Sequence, residues 1–251
     1  MKRISLLIFP VWLCGCEFFG PPGWERNDVG ISFYEVLAPR GGANPMPLVV
    51  ALHGDEGSSA AVKDYWTPTW MKQQDFILVL PQNPLELDGR DQGWSAQPDA
   101  SARFLWDVLD DVTARYNVDP SRMYLTGVSA GAVFIGQRGF TFQHVFAAIQ
   151  LSCGSSLEPE RYELPDDASC KAAARFAVSG DDFLYDESLS MRDALVGLGH
   201  EVEFVTTACS GHCCGGAGAY ARDAYAWFIK HSLCSGDRDP GNLGVQIDDS
   251  L

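Results

Sequence analysis

Two hydrophobic patterns alternate along this chain. The first is a set of short, unbroken apolar runs: PLVVALHG, FILVLP, RMYLTG, VFAAIQLSCG, ARFAVSG and VEFVTT. Runs of this length, most of them closed by glycine or proline, predict strands buried on both faces. The second pattern has helical spacing. ARFLWDVLDDVTARY places apolar residues at 104, 105, 108, 109 and 112, one face of a 3.6-residue period. AGAVFIGQRGF, SLSMRDALVGLG with Gly199 at its end, and AYARDAYAWFIKH predict three more helices. A further helix is predicted within residues 58 to 73, capped by Ser58 or Ser59 and interrupted by Pro68. ISFYEVLAP alternates and predicts an edge strand, whereas QNPLELDGRDQGWSAQPD is polar and turn-rich and predicts a loop. No internal repeat is present. Strand and helix alternate throughout, which predicts an α/β fold: one doubly wound, mostly parallel sheet with helices on both faces.

Composition narrows this picture. With 251 residues, 46% hydrophobic and 20% charged, the chain has material for one large α/β domain, expected over residues 30 to 234. The polar, turn-rich residues 235 to 251 predict a disordered tail. The net charge of −15 repels nucleic acid and anionic lipid headgroups, so neither is expected as a ligand.

The amino terminus reads MKRISLLIFPVWLCGC. Lys2 and Arg3 precede an apolar stretch too short to span a bilayer, the pattern of a secretory signal over residues 1 to 15. Leu13-Cys14-Gly15-Cys16 resembles the lipobox of bacterial lipoproteins, with Gly15 as the small residue and Cys16 as the lipidated position. A linker over residues 16 to 29 would follow, and the lipid would be the only membrane attachment. Ordinary cleavage near Gly20 is the alternative, and both readings export the protein. Six cysteines then remain: Cys153, Cys170, Cys209, Cys213, Cys214 and Cys234. An even number outside the cytoplasm predicts disulfides. Sequence proximity favours Cys153 with Cys170, and Cys209 and Cys234 each with one of the adjacent pair. A zinc site at Cys209, His212, Cys213 and Cys214 is the rival reading, although the spacing matches no common zinc pattern.

The chemistry concentrates where strands end, the edge of an open α/β sheet at which ligands bind. Gly127-Val128-Ser129-Ala130-Gly131 fits G-x-S-x-G at a strand-to-helix junction, the sharp turn that lifts a serine hydroxyl clear of the sheet. A serine alcohol is a weak nucleophile and needs a base, and the base an orienting acid. In this fold they follow in the order serine, acid, histidine. After ARFAVS comes Gly180-Asp181-Asp182-Phe183; after VEFVTT comes ACSGHCC with His212. Asp182 is favoured over Asp181 because the large apolar Phe183 can bury that end of the loop, and Asp186 is a third choice. His144, His200 and His231 fall away from this edge, and His53 belongs to another loop. Two backbone N–H groups are needed to hold an oxyanion: that of Ala130, and that of Asp55, with Glu56 behind it, in the loop after LHG, where Gly54 permits close approach. Trp94 either lines the acyl pocket or packs under its loop. This chemistry requires no cofactor and no metal.

With these residues in place, the chain resembles the α/β-hydrolases. More closely it resembles the secreted polyhydroxybutyrate depolymerase and feruloyl/acetylxylan esterase group, through LVVALHGDEGSS, FILVLPQNP, GWS, VLDDVTARYNVDPSRMYLTGVSAGAV, VSGDDFLYDE, SGHCC and AYAWF. The resemblance covers roughly residues 45 to 231. It implies hydrolysis of small or polymeric carboxylic esters through an acyl-enzyme, with Ser129, Asp182 and His212 as triad. The acid loop is one residue shorter between glycine and acid than that group leads one to expect, and the cysteine-rich SGHCC loop is unusual for it. The same residues also admit a peptidase of this fold, or a non-catalytic binding lipoprotein on the same scaffold.

Overall fold

A computed structural model describes residues 23–39, 44–55, 57–66, 75–87, 93–156, 171–214 and 217–233. Cys16, Glu56, Cys170 and Cys234, the expected signal segment and the expected tail lie outside these residues.

The described strands form one eight-stranded sheet in the order β1-β2-β4-β3-β5-β6-β7-β8. They are β1 Glu25–Val29, β2 Ser32–Leu37, β3 Met46–Leu52, β4 Ile77–Pro81, β5 Val118–Val128, β6 Ala148–Ser152, β7 Ala173–Ser179 and β8 Val202–Thr207. β1 and β2 are antiparallel to their neighbours, and β4 through β8 run parallel. The doubly wound, mostly parallel sheet read from the sequence is what the chain forms.

The unbroken apolar runs are explained by two cores. Along β3, Leu48, Val50 and Leu52 face one cluster while Val49 and Ala51 face the other. Side chains alternate along a strand, so a strand covered on both faces must be apolar at every position. The first face is covered by α3 Pro98–Arg115, α4 Ala130–Arg138 and α5 Tyr185–Gly197, and the second by α1 Ser59–Tyr65 and α6 Ala217–Phe228. The α3 stripe buries Phe104, Leu105, Val108, Leu109 and Val112, the residues at helical spacing. Ser58 caps α1 by accepting the Ala61 N–H.

Two segments differ from the sequence reading. Glu25–Val29, placed in the linker, is the edge strand β1, and ISFYEVLAP supplies the second strand instead. ERNDV lacks alternation because this edge strand is largely exposed, and its polar side chains reach Tyr116 and Phe33 rather than a buried apolar face. Within the expected loop after β4, Pro84–Leu87 makes one helical turn, α2.

Candidate active site

The elbow is built by glycine. Ser129 takes φ 51°, ψ −118° between β5 and α4, a left-handed conformation that costs a non-glycine residue about 1–3 kcal/mol. A Cβ on Gly127 would stand 2.5 Å from the Gly131 carbonyl carbon, and one on Gly131 would stand 2.7 Å from the His53 carbonyl oxygen. Only hydrogen fits at either place. Ser129 N–H donates to Ser152 O at 3.0 Å, and Ser129 O accepts from Val133 N–H at 2.8 Å, so the turn is anchored to β6 and to the first turn of α4.

The hydroxyl so presented meets His212. Ser129 Oγ lies 2.8 Å from His212 Nε2, and His212 Nδ1 lies 2.9 and 3.0 Å from the two carboxylate oxygens of Asp182. A carboxylate can only accept, so Nδ1 carries the proton and Nε2 is left to accept from the serine. The Asp182 side chain is fully buried, whereas that of His212 is partly open to solvent. Asp182 Oδ1 also accepts the Leu184 N–H at 3.0 Å, and the Asp182 N–H donates to Ser179 O. The acid is thereby locked in its own turn after β7.

Asp181 points elsewhere, and its contacts explain why two aspartates adjoin. Its Oδ1 accepts the Gly211 N–H at 2.8 Å and its Oδ2 the Ser210 hydroxyl, while the Ser179 hydroxyl lies between Asp181 Oδ1 and the Cys209 carbonyl. The hydrogen bonds from Ser179, then Ser210 and the Gly211 N–H, hold the Asp181 carboxyl well below the usual carboxylate range. Asp181 therefore clips the acid loop to the histidine loop, and Asp182 faces the imidazole. A disulfide, Cys209–Cys214, closes the histidine loop on its other side. The sequence offered no signal for the clip beyond the doubled aspartate.

The side chain of Phe183 does not cover Asp182. It is 71% exposed and lies over the His212 ring, with centroids 4.6 Å apart. Asp182 is buried although its neighbour is exposed. Asp186 lies in the first turn of α5.

The opposite wall is the turn after β3. A Cβ on Gly54 would meet Ser129 Cβ at 3.2 Å, so this backbone lies against the serine, with Asp55 next in the chain. The Asp55 carboxylate lies over Gly93, where an added Cβ would come within 1.9 Å of Oδ1. Ala130 opens α4, and its N–H is among those a helix leaves without an internal acceptor. His53 braces the turn: Nδ1–H donates to Gly54 O at 2.8 Å and Nε2 accepts the Asn83 N–H at 3.1 Å. Burial pushes the His53 pKa down to about 4, against a smaller opposing pull from the Gly54 carbonyl. Asn83 continues the brace through Ser101 to the Trp94 carbonyl. Trp94 is fully buried against His53, Phe104 and Phe134, so it packs under its loop and lines no open pocket.

The remaining histidines have other work. His200 donates to Ala172 O and His231 to Trp227 O, while His144 packs against Trp106. The cysteine pairing differs in part from expectation. Cys209 does pair with one of the adjacent cysteines, Cys214, whereas Cys153, expected in a disulfide, is a free thiol. Cys153 follows the end of β6, next to the histidine loop, so its spatial neighbour is remote in sequence. With Cys209 and Cys214 joined to each other and His212 engaged by Ser129 and Asp182, the cluster offered for zinc is already committed. Among the described residues no group of three metal-ligating side chains converges.

No family model matches the chain. Over 107 residues it is 31% identical to poly(3-hydroxyalkanoate) depolymerase C of Paucimonas lemoignei, covering 40% of this chain and 26% of that protein. Over 134 residues it is 26% identical to feruloyl esterase B of Neurospora crassa, covering 50% and 44%. The chain thus matches less than half the length of these curated relatives. Among solved structures, a fluorophosphonate-binding serine hydrolase of Staphylococcus aureus superposes with a TM-score of 0.66 at 14% identity, over 84% of this chain and 99% of that one. The fold is that of the α/β-hydrolases, and the similar proteins carry the names that the sequence motifs resemble.

Proposed function

We propose that this protein of α/β-hydrolase fold is an exported serine esterase working through Ser129, His212 and Asp182. The observation that carries the reading is the unbroken chain from Ser129 Oγ to His212 Nε2, at 2.8 Å, and from Nδ1 to the buried Asp182 carboxylate, at 2.9 Å. A depolymerase of polyesters, feruloyl esterases and acetylxylan esterases among the similar sequences support ester substrates.

Ser129 Oγ attacks the ester carbonyl carbon as its proton passes to His212 Nε2, and Asp182 stabilises the imidazolium that forms. The carbonyl oxygen gains the charge. It is held by the N–H groups of Ala130 and Asp55, worth about 3 kcal/mol each in the transition state. The tetrahedral intermediate collapses, His212 protonates the departing alkoxide, and the acyl group stays on Ser129. Water then attacks the acyl carbon with His212 again as base, and the carboxylic acid leaves.

The test is hydrolysis of a panel of acetyl, feruloyl and hydroxybutyryl esters. The expected result is turnover abolished by Ser129→Ala; a folded wild type that cleaves no ester in a broad panel refutes the proposal. Export rests on the signal-like residues 1 to 15, and lipidation of Cys16 on Gly15 before it. Partition into a detergent phase, lost on Cys16→Ala, is the expected behaviour, and a fully aqueous wild type overturns the anchor.

A further inference from the structure

Among the described residues three non-glycine residues have positive φ: Ser129 at 51°, Cys153 at 60° and Cys213 at 51°. The first is the nucleophile elbow. The other two are the free thiols, and they meet. Cys153 follows the last residue of β6, the strand whose Ser152 carbonyl holds the Ser129 N–H. Cys213 follows His212. The Ser129 N–H donates to Ser152 O and Ser129 Oγ meets His212 Nε2, so Cys153 and Cys213 each stand one residue from that contact; the Cys213 thiol lies beside that of Cys153, and the Tyr220 hydroxyl next to them donates to the Cys214 carbonyl. Backbone strain of this kind persists only where the surroundings over-determine it. Here it recurs at two thiols, remote in sequence, that both lie beside the triad.

We propose that Cys153 and Cys213 are the two halves of a second disulfide, which ties the end of β6 to the histidine loop. Each thiol stands one residue beyond the Ser152–Ser129–His212 contact, so the bridge joins two segments that already adjoin. The oxidant is a disulfide, RSSR, from a protein or a small molecule. The half-buried Cys213 loses its proton and attacks one sulfur of RSSR, expelling one thiolate. The buried Cys153 then gives up its proton and attacks Cys213 Sγ of the mixed disulfide, expelling the second. Two protein thiols and one RSSR become one protein disulfide and two RSH. The adjacent cysteines are thereby anchored in opposite directions, Cys214 to the exit of β8 through Cys209 and Cys213 to the exit of β6. His212 stands one residue from that double anchor, which explains why the loop reads HCC.

Peptide mapping of the full chain tests this without reference to catalysis, so its failure and that of the esterase proposal are separable. The protein is incubated with glutathione disulfide, alkylated with iodoacetamide under denaturing conditions without reduction, and cut with trypsin. The expected product joins fragment 139–161, which carries Cys153, to fragment 193–222, which carries Cys209, Cys213 and Cys214. Cys213→Ser abolishes that link and leaves Cys209–Cys214 intact. Recovery of wild-type Cys153 and Cys213 both alkylated overturns the proposal. So does finding fragment 139–161 joined to 162–171 or to 231–238, which carry Cys170 and Cys234.

Discussion

Replacing Asp182 by asparagine removes one charge and almost no volume, and the structure dictates how the new amide must sit. Asp182 Oδ1 accepts the Leu184 N–H at 3.0 Å, while Oδ2 lies 2.9 Å from His212 Nδ1. Asparagine has a single oxygen. If that oxygen serves Leu184 it stays 3.0 Å from Nδ1, but the NH₂ group takes the closer place, 2.9 Å from Nδ1, where its hydrogen requires Nδ1 to accept. The imidazole proton moves to Nε2, which can no longer take the proton of Ser129. If the amide flips, the Leu184 N–H faces an NH₂ group and loses its acceptor, at about 1–3 kcal/mol for a buried donor. The first arrangement is preferred, so the wrong tautomer dominates. In triads of this geometry the wrong tautomer lowers kcat about 10⁴-fold, or ~5.5 kcal/mol. The assay is kcat on a nitrophenyl acetate ester at pH 7, with circular dichroism to establish that Asp182→Asn is folded. A folded Asp182→Asn variant within tenfold of wild type would refute the tautomer argument.

Asp181→Asn keeps an acceptor for the Gly211 N–H and leaves His212 its acid, so we expect kcat to fall less than about tenfold with KM unchanged; a loss equal to that of Asp182→Asn would reverse the two roles. Gly131→Ala drives a methyl group to 2.7 Å from the His53 carbonyl and should destabilise by about 1–3 kcal/mol or more, read as a lower denaturant midpoint; an unchanged midpoint would contradict the close packing of the elbow. His53, held at a pKa of about 4 against an ordinary 6.5, binds its proton more readily unfolded than folded. Its contribution to stability is full above pH 6.5 and is lost as pH falls through 4, a change of about 3 kcal/mol. Denaturation of wild type and His53→Gln at pH 7 and pH 4 should show that much less acid destabilisation in the variant, and equal pH dependence would contradict a buried neutral imidazole.

Much of this site was legible because its signals are local. The collision that demands glycine at 127 arises within five residues, although the one at 131 is with His53 of the turn after β3, and the apolar runs of β3 through β7 declare burial on both faces. The order of serine, acid and histidine then followed from the strands that precede each loop. What was not legible depends on partners distant in the chain. ERNDV pairs through its backbone, so its side chains carry no trace of the strand. Asp182 was favoured on the expectation that Phe183 would bury it. The structure gives a different reason: Asp181 is taken up by Ser210 and Gly211 of the histidine loop, while Phe183 lies exposed over the imidazole. Cys153 meets Cys213 only because β6 and the histidine loop end side by side, which no spacing in the sequence reports.

Activation of the Ser129 hydroxyl by His212 is tested most directly by mapping the site of covalent modification with a fluorophosphonate. Phosphonylation of Ser129 alone, at a rate that falls by orders of magnitude in a folded His212→Ala variant, is the predicted result. A label carried by another residue, or a His212→Ala variant that reacts as fast as wild type, would contradict it.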